Sequence, residues 1–249
     1  MNKKKYNNPE DFELETSTVR SFSRRGKWAT HDSKYRGNWS PDVVRNLILR
    51  YSEEGDLLLD PMIWGWTTAI EAKTLNRNLI AYDINPNAVM QTIQKLDFDV
   101  SSNANIEVVL RDARDLSHIQ NEAIDLILNH PPYADIIRYS NWEIQGDLSN
   151  IHELGSFCDE MEKIAKQFFR ILKPWKYCVI LIWDTRRKRL YQPLAYMLMQ
   201  RFMNVGFVLK EDVIKTQHNC KATGFWKKKS QEYNFLLIMH EHLFIFQKP

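Results

Sequence analysis

From residue 41 onward, short apolar runs alternate with longer stretches whose apolar positions recur every three or four residues. The short runs LLLD (57–60), LIAYDINP (79–86), IEVVLRDA (106–113), AIDLILNHPPY (123–133) and KYCVILIW (176–183) have the length and continuous apolarity of buried strands. Between them lie helical patterns. Ser40 can cap a first helix with Pro41 at its first position, Val43, Val44, Leu47, Ile48 and Tyr51 form one apolar stripe, and Gly55 closes the segment. Further helices are predicted over 67–76, through Val89 and Ile93, from about 151 to 172, and over roughly 191–204. The last two runs, 205–215 and 233–248, read as strands that can pair with each other. Residues 1–25 are polar and aperiodic, which predicts a flexible N-terminal arm ahead of one domain over 26–249.

Strands alternating with helices imply a mostly parallel sheet covered on both faces. Such sheets bind ligands beyond the carboxyl ends of their strands. Asp60, Asp83, Asp112, His130 and Asp184 each stand at such an end. A lone acid there is usually the cap of the next helix; a polar residue after every strand marks the end of the sheet where chemistry is expected.

Composition narrows the classes. No run approaches the roughly 18 uncharged apolar residues of a membrane span, and MNKKKYNNPEDFELE lacks the apolar core of a signal peptide. Cys158, Cys178 and Cys220 are odd in number and widely spaced, which argues against a disulfide framework and for a reducing, cytoplasmic setting. His218, Asn219, Cys220, His240 and His242 lack the spacing of a standard metal site, so no metal is expected. A formal charge of +3 permits nucleic-acid binding without requiring it. Glycine is scarce, at eight residues, about half of ordinary usage.

The sharpest string is LILNHPPYADIIRYS. Two prolines end any strand, and a bare Pro-Pro is most often no more than that terminator. Here a polar acceptor precedes the pair and an aromatic residue follows it, directly after an apolar strand. His130-Pro131-Pro132-Tyr133 resembles the (Asp/Asn/Ser)-Pro-Pro-(Tyr/Phe/Trp) motif of the DNA adenine-N6 and cytosine-N4 methyltransferases. An amine conjugated to a base ring is a poor nucleophile. In that family the first motif side chain and a proline carbonyl accept its hydrogens, and the aromatic residue stacks on the flipped base. His130 departs from the pattern; a neutral imidazole still offers one acceptor nitrogen, an imidazolium none. The departure also removes the family's clue to adenine or cytosine as target.

A second string, LLLDPMIWGWTTAIEAKTLNRNLIAYDINPNAV, resembles the family's cofactor loop. Asp60, Pro61, Gly65, Thr67, Thr68, Glu71 and Ala72 match by position. The resemblance implies a class I, Rossmann-like fold with an antiparallel C-terminal hairpin, S-adenosylmethionine as cofactor, and DNA as substrate. It assigns Asp83 with Ile84 to the ribose hydroxyls, Asp112 with Ala113 to the adenine, and Asn38 and Trp39 of YRGNWSP to the methionine end. The resemblance further implies a cognate restriction endonuclease as partner. Where the family has Gly-x-Gly, however, this chain has Trp64-Gly65-Trp66, and Trp175 and Trp183 stand at two further glycine positions. Two indoles in that loop are expected to fill the cofactor space, so a catalytically impaired DNA-binding protein is one alternative and an RNA amino methyltransferase another. Two basic runs, Arg186-Arg187-Lys188-Arg189 and Lys227-Lys228-Lys229 after Gly224-Phe225-Trp226, either face solvent or contact phosphates. No large separate recognition domain is visible, which leaves the arm, 134–152, 184–190 and 217–232 to read the substrate.

Overall fold

The computed structural model describes residues 4–6, 9, 12–23, 25–32, 37–134, 143–218 and 223–249. The apolar runs form the strands expected of them: β3 (Leu57–Asp60), β4 (Asn78–Asp83), β6 (Ile106–Leu110), β7 (Ile124–Asn129) and β8 (Leu172–Ile182). The periodic stretches form α1 (Pro41–Tyr51), α2 (Thr67–Thr74), α3 (Pro86–Lys95), α4 (Leu154–Ile171) and α5 (Leu194–Val205). The chain closes with β11 (Val208–Thr216), α6 (Thr223–Tyr233) and β12 (His240–Gln247).

The residues expected to form a loose arm instead contribute two strands. β1 (Lys4–Lys5) pairs in parallel with β5 (Phe98–Asp99), and β2 (Val19–Ser21) pairs in parallel with β11. A small hairpin of β9 (Thr185–Arg187) and β10 (Leu190–Gln192) precedes α5. The helix predicted from 191 starts later because Pro193 disfavours helical backbone at the residue before it. The strand predicted from 233 starts only at 240. Residues 234–239 are irregular and Tyr233 ends a helix: TGFWKKKSQEY buries no residue, so the helix preference of its Lys, Gln and Glu residues is not overridden by packing.

One eight-stranded sheet runs in the order β2-β11-β12-β8-β7-β3-β4-β6. Its centre is parallel, and β12 lies antiparallel between β8 and β11. Strand alternation divides the core. Ile127, Ile180, Ile182, Phe244 and Phe246 face α4 and α5, where Phe157, Met161, Ile164, Phe168, Leu198 and Phe202 complete one fully packed layer. Leu126, Leu128, Val179, Leu181, Leu243 and Ile245 face the other way, against Val43, Val44, Leu47 and Ile48 of α1 and Ala69 and Ala72 of α2. The chain winds outward from β3 through β4 to β6, then returns to add β7 on the other side of β3. That reversal opens a crevice beyond the carboxyl ends of β3 and β7, the place where open parallel sheets bind ligands.

Candidate active site

β7 is buried along its whole length and ends at Asn129. The prolines then stop the pairing and leave His130 at the wall of the crevice. His130 Nε2 meets the Tyr133 hydroxyl, which donates to Glu241 Oε1 at 2.8 Å. The Lys215 ammonium donates to the second oxygen of Glu241. This chain fixes a tautomer. A carboxylate cannot donate, so the single hydroxyl hydrogen of Tyr133 goes to Glu241, and the Tyr133 oxygen must accept Nε2–H from His130. Nδ1 of His130 therefore carries the lone pair, and among the described residues it is buried without a partner. Burial pushes the imidazole down to about 4, so His130 is neutral at physiological pH. Burial would raise the Glu241 carboxyl, but Lys215 and His130 hold it below its ordinary range.

Tyr133 lies where the motif puts it but not as expected of a stacking residue. Its ring is 3% exposed, with Trp183 edge-on at 6.1 Å between centroids. The described structure thus gives it no free face for a base and ties its hydroxyl to the polar chain instead. Residues 135–142, part of the predicted recognition loop, lie outside the described residues, as do Tyr35, Arg36, Asn219 and Cys220.

The crevice has a volume of about 610 Å³, counting the open solvent at its mouth. Pro61, Asp83, Ile84, Asp112, Ala113, His130 and Pro132 of the predicted set line it. Asp83 Oδ1 accepts the Asn85 amide at 2.7 Å, and burial raises its carboxyl to about 7. A carboxylate so poorly solvated gains most from further donors, which a pair of vicinal hydroxyls would supply. Asp112 is held by Arg114, whose Nε lies 3.0 Å from both carboxylate oxygens. Arg114 also donates to the Gly146 carbonyl at 2.8 Å, joining the end of β6 to the opposite wall of the crevice. Asp60 does not line the crevice: fully buried and also raised to about 7, chiefly by burial, it accepts the Met62 amide at 3.2 Å. Thr67 and Thr68 are buried at the start of α2. The Thr67 hydroxyl contacts the Asn38 side-chain oxygen, and Arg25 donates to the carbonyls of Asn38 and Trp39 at 3.1 and 2.6 Å. The Trp39 ring then packs on His130 at 5.3 Å. Asn38, Trp39, Thr67 and Thr68 form the layer beneath the crevice rather than its surface.

The tryptophans divide in a way the sequence did not reveal. Trp66 takes a left-handed conformation, φ +56°, at the cap of α2. Its indole is buried with Ala29, Ile70 and Phe98, under the Lys95 ammonium at 4.8 Å, and it does not line the crevice. Trp64 does line it. Between them Gly65 turns at φ +89°, where a Cβ would meet Asn38 Cγ at 2.7 Å. Trp175 is exposed near the start of β8, away from the carboxyl end, and Trp183 packs against the core behind Tyr133. The expectation of two indoles in the cofactor space therefore fails for Trp66, whose side chain leaves by the other face of the loop. One wall of a still-open crevice is all that Trp64 occupies.

The two basic runs meet in space. Arg186, on the β9–β10 hairpin, donates to the Leu236 carbonyl at 2.8 Å and sits over the Phe235 ring at 5.3 Å, just beyond α6. Arg189 stacks on Tyr233 at 4.1 Å. Lys227, Lys228 and Lys229 lie on α6, where Lys229 pairs with Glu232 at 2.7 Å. Arg187 lies on the same hairpin, and Phe225 and Trp226 stand exposed on the helix. Glu241, Lys215 and Arg114 escaped the sequence reading. The one available signal for Glu241 was a carboxylate inside the apolar run of a central strand, where burial demands a partner.

The DNA methylase family model matches residues 1–94, the part that carries the LLLDPMIWGWTT string. The type II methyltransferase M.BsoBI of Geobacillus stearothermophilus is 25% identical over 220 residues, covering 75% of this chain. The chain spans about two fifths of that relative's length (41%). Among solved structures, TrmN of Thermus thermophilus superposes with a TM-score of 0.57 at 18% identity, over 86% of this chain and 50% of TrmN. A SAM-dependent methyltransferase of Methanosarcina mazei gives a TM-score of 0.54 at 14% identity, over 81% of this chain and 96% of its own. The fold is that of the class I methyltransferases, and in its family match and its curated relative the chain is similar to the DNA methylases.

Proposed function

We propose that this protein transfers a methyl group from S-adenosylmethionine to an exocyclic amino group of a DNA base, adenine N6 or cytosine N4. The observation that carries the reading is the acceptor at His130: a neutral imidazole whose buried Nδ1 has no partner among the described residues, bordering the same crevice as Asp83 and Asp112. Asp83 would hold the ribose hydroxyls and the end of β6, with Asp112 and Ala113, the adenine. The bound cofactor supplies an electrophilic methyl group on a sulfonium. The Nδ1 atom of His130 and the Pro131 carbonyl would accept the two hydrogens of the target amine, turning its lone pair toward the methyl group. An imidazole near pKa 4 is too weak a base to take the proton outright at neutral pH. His130 thus orients the amine, and the proton leaves to solvent once the N–C bond has formed. Pro132 keeps the turn rigid, and Tyr133 holds the His130 tautomer in place of stacking on the base.

DNA would approach across the surface shared by the β9–β10 hairpin and α6, with Arg186, Arg187, Lys227 and Lys228 on the phosphates. A paired restriction endonuclease is consistent with the type II relative. The test is incubation with trideuteromethyl-labelled cofactor and mixed-sequence DNA, then digestion to nucleosides and mass detection. Labelled N6-methyladenine or N4-methylcytosine is expected. Label in competing RNA and none in DNA would overturn the substrate assignment.

A further inference from the structure

Strand alternation on β12 puts Glu241 on the α1 side and His240 and His242 together on the α4–α5 side. His242 is paired with Ile182 of β8, and the chain reaches Asp184 two residues later. The ligand atoms of Asp184, His240 and His242 come within 4.8 Å of one another. Asp184 and His242 are buried, while His240 is half-buried.

The hydrogen-bond pattern leaves a gap here. His242 Nδ1 lies 3.0 Å from Asp212 Oδ1, so it carries the ring hydrogen and donates it. The lone pair then sits on Nε2. Among the described residues that atom is buried with no hydrogen-bond partner nearer than Asp184 Oδ2, which it faces at 3.5 Å. In the neutral ring two acceptors thus point at each other; against the lowering by burial, Asp184 and Asp212 raise the His242 imidazole above its ordinary range, so this pair of carboxylates attracts a positive charge at Nε2, whether a proton or a metal ion. Asp184 is already anchored on its other side, where Oδ1 accepts the Ala195 amide at 2.8 Å, and the Tyr191 hydroxyl donates to Oδ2. A cation between them would satisfy both.

We propose that Asp184, His240 and His242 bind a divalent transition-metal ion of the zinc class, with Asp212 as the carboxylate that orients His242. A carboxylate on the far nitrogen of a ligating imidazole is the usual support of such sites, fixing the tautomer and raising ligand basicity. Nitrogen and carboxylate donors suit zinc, with bonds of about 2.0–2.2 Å and water completing a tetrahedron. Ligand atoms then stand about 3.3 Å apart, so the three side chains have to draw together, by at most roughly 1.5 Å for any pair. The ion would tie the start of β12 to the end of β8 at the foot of the β9–β10 hairpin, and so steady Arg186 and Arg187.

The probe is Zn²⁺ itself, titrated into untagged, chelator-treated protein against a chromophoric competitor, with Co²⁺ as a spectroscopic substitute. One equivalent should bind, Co²⁺ should give visible ligand-field bands, and Zn²⁺ should raise the melting temperature. His240→Ala, at a half-buried position, should keep the fold by circular dichroism while weakening Zn²⁺ at least ten-fold and abolishing the thermal shift. Asp184→Asn should weaken it likewise. Absence of stoichiometric binding, or binding that His240→Ala leaves unchanged, would overturn the site.

Discussion

His130 is decided by its neighbours. Without the hydroxyl of Tyr133 and the carboxylate of Glu241, either ring nitrogen could carry the hydrogen; with them Nδ1 is the acceptor. Tyr133→Phe keeps the ring and removes the hydroxyl, so it separates orientation from stacking. A fall in kcat of roughly ten- to a hundred-fold is expected, the loss of one hydrogen bond to a charged group being worth ~1.5–3 kcal/mol, with KM for DNA nearly unchanged. Full activity in that variant would return the role to the ring. Burial of a neutral histidine also fixes a sign in the stability. Between the ordinary value near 6.5 and the folded value near 4, the unfolded chain takes up a proton that the folded chain refuses. Stability from this group is therefore lost as pH falls through that window, by about 2 kcal/mol from pH 7 to pH 5. Asp60 and Asp83, raised to about 7, act in the opposite direction over pH 4–7. Urea unfolding of wild type and His130→Asn at both pH values isolates the histidine: the difference between the proteins should shrink at pH 5. A constant difference would mean that His130 is not buried neutral.

At the scale of elements, the loop between β3 and α2 shows where reading the sequence stops. The strand, the helix and the turn between them are legible from LLLD, from the Thr67–Thr74 pattern and from Gly65. The direction of two indoles is not, because it depends on Phe98 and Ala29, which are distant in sequence and supply the apolar seat for Trp66. The same limit hid Glu241, whose partner Tyr133 is 108 residues away. It also hid α6, whose face is polar throughout and gives no burial period to detect. The Trp66 geometry carries a prediction of its own. Trp66→Gly relieves a left-handed backbone, worth ~1–2 kcal/mol, but empties a buried indole site, costing ~3–5 kcal/mol. A net destabilisation of about 2 kcal/mol is expected in thermal or urea unfolding, with no gain in cofactor affinity; a stabilised variant would contradict the packing. On α6, Lys229 is already paired with Glu232. Replacing Lys227, Lys228 and Lys229 by alanine should therefore flatten the salt dependence of DNA binding by about two units of slope, at ~0.9 per phosphate contact. An unchanged slope would leave the helix as solvated surface.

Across the whole molecule, the parallel centre of the sheet was visible in the alternation of strand and helix, and the winding that opens the crevice follows from it. What winding alone does not give is the chemistry of the walls. Asp83 and Asp112 stand on one side, His130 on the other, and Arg114 spans from β6 to Gly146. No helix among the described residues is long and apolar enough to cross a membrane. Because Asp83 is raised to about 7, cofactor binding that needs its carboxylate should weaken as pH falls below 7 and level off above it. Asp83→Asn should bind weakly at every pH, without that dependence. Everything in the account rests on the crevice accepting a cofactor despite Trp64. Calorimetric titration of the unaltered chain with S-adenosylmethionine at pH 8 tests this most directly: one equivalent binding with micromolar affinity is predicted, and the absence of saturable heat would show that Trp64 closes the site.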